Sequence, residues 1–352
     1  MEEKISSWQV FWLGVNLVLS TIILIVPGIL VGHSESIGWL SVVLAGAIVI
    51  LLQSLIIEYS FRFSNEGIVY DLKAIFGKYI GTILVLVYLW ALFYILYQAT
   101  FQGVEFLVFA MPYMPEGGLW AGITIVAAYF TYTKIENIAR SNGIAMLVVV
   151  IALSIIILAN SGDFNFSNLR PMEWDGKGIV RGSLVAGVWF VQIPLMILVI
   201  KPYLKDKGDI LRKSLYSNLF NQLFVITLVI FSVALLGVPL TKELEFPIYN
   251  MARLALGGLE SLIIGAWIVG VIVKTGIYFF MFLKVIEDLF NLSNYDNLIP
   301  PLGIILVSFT WYINQITEPN LYYEVNVTSV FILIHYPLVL IILFGYLFKA
   351  RN

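Results

Sequence analysis

Lys274 is the one basic residue set inside a long apolar stretch, in the run Trp267-Ile-Val-Gly-Val-Ile-Val-Lys274-Thr-Gly-Ile-Tyr278. A charge at the centre of a bilayer costs about 2.5–3.5 kcal/mol on insertion scales, so such a residue faces the interior of a helix bundle and finds partners there. Three roles are open to it. Its ammonium can stand in for a coupling cation, it can carry a proton by shedding its charge when desolvated, or it can pin freed backbone carbonyls of the first apolar run. A second group, Tyr94, Gln98, Gln102 and Glu105, follows steps of four, four and three and therefore shares one helical face. A polar face on a membrane helix borders protein or water. Here it lines a ligand cavity or water path, with Glu105 toward the outer mouth, or it forms an interhelical hydrogen-bond seam. His335, alone in the last apolar run, reads as a hydrogen-bonded packing residue.

Helix breakers define a third group. The first apolar run carries Asn16, Ser20 and Thr21 ahead of Pro27-Gly28, and a later run carries Gly182-Ser183, Gly187, Gln192 and Pro194. Proline removes a backbone donor and glycine weakens the helix, so unwinding at these points frees carbonyls and amides to hold a ligand. The alternative is that the small residues only let helices pack closely.

The elements that must position these groups follow from composition. Of 352 residues, 60% are hydrophobic and 12% charged, with a mean hydropathy of +0.94; a soluble domain carries roughly twice that charge fraction. Apolar runs at 8–31, 37–60, 79–110, 118–134, 142–160, 179–203, 213–238, 256–289, 298–314 and 326–348 predict an all-α integral membrane protein of ten transmembrane helices. That leaves no room for a further soluble domain. Lys and Arg fall about fourteen to five on alternate sides, the larger set including Lys201, Lys205, Lys207, Arg212 and Lys213, which places both termini in the cytoplasm. The start, Met1-Glu2-Glu3-Lys4, has no basic n-region, so the first run is read as a retained helix.

The connector 161–178 divides the chain into 1–160 and 179–352, each with five runs. An odd number makes the second half enter the membrane from the opposite face, so two halves of one fold form an inverted repeat. Such repeats typify secondary transporters, whose sites lie at the midplane where the first helices of the halves are broken. With no cysteine, disulfides, thiolate metal sites and cysteine nucleophiles are excluded. No Walker loop, zinc spacing, GxSxG elbow or dinucleotide fingerprint occurs in a usable context, so neither an enzyme nor a cofactor is expected. A net charge of −2 gives no reason to expect nucleic acid. The triplet Asn326-Val-Thr328 is too short a match to carry a reading.

Several stretches in order along the chain add a resemblance: Ile5-Ser-Ser-Trp-Gln9 before a first run ending in Pro27-Gly28, Gly77-Lys-Tyr-Ile-Gly81, Asn168-Leu-Arg-Pro171 followed by Gly178, Phe246-Pro-Ile-Tyr-Asn-Met-Ala-Arg253, and Leu259-Glu-Ser-Leu262 leading to Trp267 and Lys274. Together they resemble the B-subunit family of spore germinant receptors, a branch of the amino acid-polyamine-organocation transporter superfamily. The resemblance implies a LeuT-type fold of five plus five inverted helices, with spans 1 and 6 broken, in a membrane of a spore-forming bacterium or its endospore. It also implies assembly with a larger A subunit and a lipoprotein C subunit, and a small germinant, commonly an amino acid, held where spans 1 and 6 break. By position that pocket uses Ser20, Thr21, Gln98, Gly187, Gln192 and Lys274. The chain departs from relatives in reading Leu19-Ser-Thr-Ile22 where they carry a Gly-x-Gly-like segment, and Gln192-Ile193 where a Gly-Glu pair is frequent. Receptor subunit, proton-coupled amino acid transporter, and water or ion conduit are the functions to be separated.

Overall fold

In lipid no water satisfies the backbone, so a crossing segment must pair its own N–H and C=O groups as a helix. The computed structural model describes residues 4–205, 207–255, 257–316 and 330–351, and its regular elements there are helices. We label them α1 (Ser7–Ile22), α2 (Val26–Ser34), α3 (Trp39–Phe63), α4 (Ile68–Ala110), α5 (Glu116–Tyr132), α6 (Lys134–Ala159), α7 (Gly176–Phe190), α8 (Gln192–Ile200), α9 (Lys207–Glu243), α10 (Pro247–Leu254), α11 (Glu260–Phe290), α12 (Ile299–Ile316) and α13 (Phe331–Arg351); short 3₁₀ turns join some of them. The triplet Asn326-Val-Thr328 and the start of the last expected run lie outside the described residues.

Among the described residues eight helices are long and apolar enough to cross a membrane, and the bent pair of α1 with α2 makes nine. The remaining expected crossing corresponds to α5, whose 17 residues reach only about 25 Å at 1.5 Å per residue, short of a hydrocarbon core of about 30 Å. The count of ten therefore stands at eight or nine full-length crossings plus this short helix.

The break in the first crossing falls where proline dictates. Pro27 has no N–H to offer the carbonyl of Ile23, α1 stops at Ile22, and α2 restarts with Pro27 in its first turn at 70° to α1. The break expected near Gln192 is much slighter. Only Val191 interrupts the helix, and Gly176–Tyr203 continues as one 28-residue crossing with 94% of its most apolar stretch buried. Close packing on every side leaves no room for an unwound loop. Two corners need glycine: Gly77 at φ 80° in α4 and Gly237 at φ 75° in α9 turn the chain in a region closed to most side chains.

The crossing built from α7 and α8 forms the centre. α11 packs on α4, α5 and α6, α1 on α9, α6 and α11, and α3 on α7 and α9. At the end of the bundle that carries the N-terminus, Ile5 N donates to Tyr203 O (2.8 Å) and Lys205 N to Ile5 O (3.0 Å). There too an ion pair lies wholly inside the protein. Asp71 accepts from Lys201 Nζ, Tyr346 Oη and Ser64 Oγ, each at 2.5 Å, with both charged side chains 0% exposed.

Candidate functional site

The last turns of α1 run beside the middle of α11. Lys274, 2% exposed, turns its ammonium to α1 and donates to Leu17 O (2.6 Å) and Thr21 Oγ1 (2.8 Å), immediately before the 70° break. Among the described residues no carboxylate pairs with it. Its charge is held by a carbonyl and a hydroxyl, with one N–H left over. The helices can approach this closely because Gly270 faces α1: a Cβ there would lie 3.1 Å from both Ser20 Oγ and Met146 Cε. Asn16 Nδ2 donates to Gly270 O (3.2 Å), and Ser20 itself rests against Met146 Sδ of α6 at 4.0 Å.

One turn further along α11, Tyr278 Oη donates to Gln192 Oε1 at 2.6 Å, tying α11 to the first residue of α8 after the interruption at Val191. The Lys274 ammonium lies 5.9 Å from the centre of the Tyr278 ring. Two hydrogen bonds and one cation–ring approach therefore link Thr21, Lys274, Tyr278 and Gln192 in a line from the bent first crossing to the interruption at Val191. Beside it, between α4, α8, α11 and α13, is a cavity of only about 10 Å³ lined by Tyr88, Gln192, Tyr278 and His335 with apolar neighbours. The centre is closed.

The other expected site residues take different positions. Gln98 Nε2 donates to Tyr94 Oη (2.8 Å), and the Tyr94 ring meets Phe331 of α13 at 5.0 Å. Gln102 and Glu105, further along α4, are half-buried. Gly187 lies under α13, where a Cβ would come 2.3 Å from Tyr336 Oη, so its lack of a side chain admits the Tyr336 bond to Leu184 O (2.8 Å). Tyr278, Tyr88 and Leu17 were not singled out in the sequence as site residues. Tyr278 had a usable signal, since four residues beyond Lys274 it must share that face of α11; a backbone carbonyl such as Leu17 O has none.

A second, larger hollow of about 810 Å³ opens at the end of the bundle near the buried Asp71–Lys201 pair, with Glu66, Tyr70, Lys73, Tyr203, Lys284 and Asp288 on its walls. Lys284 spends its charge on Glu287 (2.6 Å) and Asp288 (2.8 Å).

Helices of this number and course, with a bent first crossing and a polar line at the centre, define the class as the LeuT-type transporter fold. MhsT, solved in complex with L-phenylalanine, matches with a TM-score of 0.73 at 12% identity over 96% of this chain and 89% of that one. Mhp1, a nucleobase-cation-symport-1 family transporter in a closed conformation with bromovinylhydantoin bound, matches at 0.57 and 10% identity over 99% and 94%. Within that class the chain belongs to the Spore_permease family of spore germination proteins, whose model matches residues 4–317. Its relatives include spore germination protein KB of Bacillus subtilis (strain 168), 25% identical over 327 residues (88% of this chain, 85% of that protein). Spore germination protein YndE of the same organism is 23% identical over 281 residues, 76% of each chain. The germination-protein resemblance and the fold it implied agree with these matches.

Proposed function

We propose that this chain is the membrane subunit of a spore germinant receptor, which binds a small nutrient, an amino acid, and signals through partner A and C subunits to start germination. The observation that carries the reading is the polar line Thr21–Lys274–Tyr278–Gln192, which couples the bent first crossing to the interruption at Val191. A ligand that enters between α1 and α8 competes for these bonds, and so changes the angle between two crossings without needing to be carried across. Ser20, Thr21 and Gln192 form the wall it meets first, Gln98 and Gly187 the flank toward α13. In this reading residues 1–160 and 179–352 are the two inverted halves, and the excess of basic residues on one side supports a cytoplasmic position for both termini.

The test is equilibrium binding of a panel of amino acids, sugars and nucleosides to the full chain in lipid nanodiscs. Saturable binding of one class, weakened by Thr21→Val and by Gln192→Ala, supports the reading. Sustained substrate accumulation by proteoliposomes holding this chain alone counts against a pure sensor.

A second reading, a proton-coupled amino acid transporter, draws on Lys274, whose ammonium sits between α1 and α11 on a carbonyl and a hydroxyl, ligands that also suit a small cation. It requires uptake that needs a pH gradient and disappears in Lys274→Ala.

A further inference from the structure

The hollow of about 810 Å³ at the end of the bundle that carries the N-terminus lies apart from the central line. Its walls hold three carboxylates, Glu66, Glu287 and Asp288, against two ammonium groups, Lys73 and Lys284, a net charge of −1. Lys284 is shared by Glu287 (2.6 Å) and Asp288 Oδ1 (2.8 Å), so its single charge leaves one of those two unmatched. Asp288 Oδ2 is turned to the start of α4, 3.5 Å from the place a Cβ would take on Gly67. Glu66 precedes that glycine. It is exposed, and among the described residues its carboxylate has no hydrogen bond or ion pair. Lys73 spends an N–H on Leu289 O (3.4 Å) in the last turn of α11. Two carboxylates from different elements therefore come together where α4 begins and α11 ends. Beside them on the wall stands Tyr70, 54% exposed.

We propose that this hollow is a socket for an arginine side chain of a protein partner docked at this end of the bundle. The proposal rests on the reading that the chain signals to other subunits, and it gives that signal a place to leave. A guanidinium is a planar fork of five donors, which suits two carboxylates from neighbouring elements better than the point charge of a lysine does, and it stacks on an aromatic face. Glu66 and Asp288 supply the carboxylates and Tyr70 the face. A free small molecule is held in an enclosed, mostly apolar pocket. These walls are charged and open to water, as the rim of a protein interface is, and arginine is enriched at such interfaces. The socket also adjoins the elements that the centre links. Gly67 leads into the turn of α4 that carries Asp71, and Pro202 and Tyr203 follow its partner Lys201. α11 runs unbroken from Lys274 to Asp288, about 21 Å at 1.5 Å per residue. A shift of α11 against α1 is thus delivered to Asp288, and the separation of Asp288 from Glu66 is what the arginine reads.

The experiment uses the full chain in nanodiscs of phosphatidylcholine, whose zwitterionic surface does not itself collect cations, with ligand-observed NMR to read weak binding. The probes are a short glycine–serine peptide with a central arginine, the same peptide with lysine or with the neutral isostere citrulline in that place, and ethylguanidine. Wild type should prefer the arginine peptide to the citrulline peptide by about tenfold, as expected for one charge-assisted contact, and to the lysine peptide by less. Glu66→Gln should remove most of the preference over citrulline, while Glu116→Gln, an exposed position at the far end of the bundle, should change nothing. Equal binding of the arginine and citrulline peptides, a lysine peptide bound as tightly as the arginine one, an unchanged preference in Glu66→Gln or an equal loss in Glu116→Gln overturns the proposal. Ethylguanidine bound as tightly as the arginine peptide also overturns it, and makes the hollow a site for a free cation. Should Glu66→Gln fail to fold, the comparison of probes on wild type is sufficient to decide. Nutrient binding is measured on the same samples: selectivity among peptides absent with a nutrient bound refutes the socket alone, and selectivity present with no nutrient bound refutes the receptor reading alone.

Discussion

Lys201→Met removes the cation from a pair whose two side chains are 0% exposed and only 2.5 Å apart. Asp71 is then left among Ser64 and Tyr346, two hydroxyls that still donate to it at 2.5 Å but bring no charge. Stripping one partner from a buried ion pair costs about 3–5 kcal/mol, because the other keeps its desolvation penalty without the Coulomb attraction. Lys201 also donates to Ser60 O (3.3 Å) and Ser64 Oγ (3.2 Å), so the loss should fall in the upper part of that range. The assay is reversible unfolding in mixed micelles, titrated with a denaturing detergent. In Asp71→Asn with Lys201→Met no charge is stranded, and the double variant should be destabilised by clearly less than the sum of the two singles. A single-variant loss below about 1 kcal/mol, or strict additivity in the double, would refute the reasoning that this pair ties the start of α4 to the chain just after α8, with Ser64 and Tyr346 around it.

Gly77→Ala and Gly237→Ala place a Cβ on backbone at φ 80° and 75°; each should cost about 1–3 kcal/mol in the same titration. Tyr278→Phe removes the 2.6 Å donor to Gln192 and should cost about 1 kcal/mol; combined with Gln192→Ala it should add little further loss of ligand binding, as expected for two ends of one bond. Gly270→Val should overpack the α1–α11 contact by about 1–3 kcal/mol, since even its Cβ would be 3.1 Å from Ser20 Oγ, and a second-site Ser20→Gly should recover part of the loss.

The membrane class and its helices were legible because the rule behind them is local: lipid tolerates no unsatisfied backbone, so each apolar run must become a helix. The first break was equally legible, since Pro27 cannot serve the carbonyl of Ile23 whatever surrounds it. The second break falls where Gly187, Gln192 and Pro194 predicted it, between α7 and α8, and is narrower than the first. Gly187 and Pro194 weaken the helix, yet the surrounding crossings hold α7 and α8 in one line with only Val191 displaced. Gly187 shows the same limit, because nothing near it in sequence says that Tyr336 will occupy the space its missing side chain leaves.

That Lys274 must find partners within the bundle follows from its apolar neighbours alone. That the partners are Leu17 O and Thr21, 257 and 253 residues away, does not. The Tyr278–Gln192 bond spans 86 residues and the cavity at His335 needs four separate helices to exist. Helix formation, breaks at proline and the cost of a buried charge are decided within a few residues and can be read in order along the chain. The pairing of one helix face with another depends on packing, depth and rotation set by all the crossings together, and only the tertiary structure supplies it.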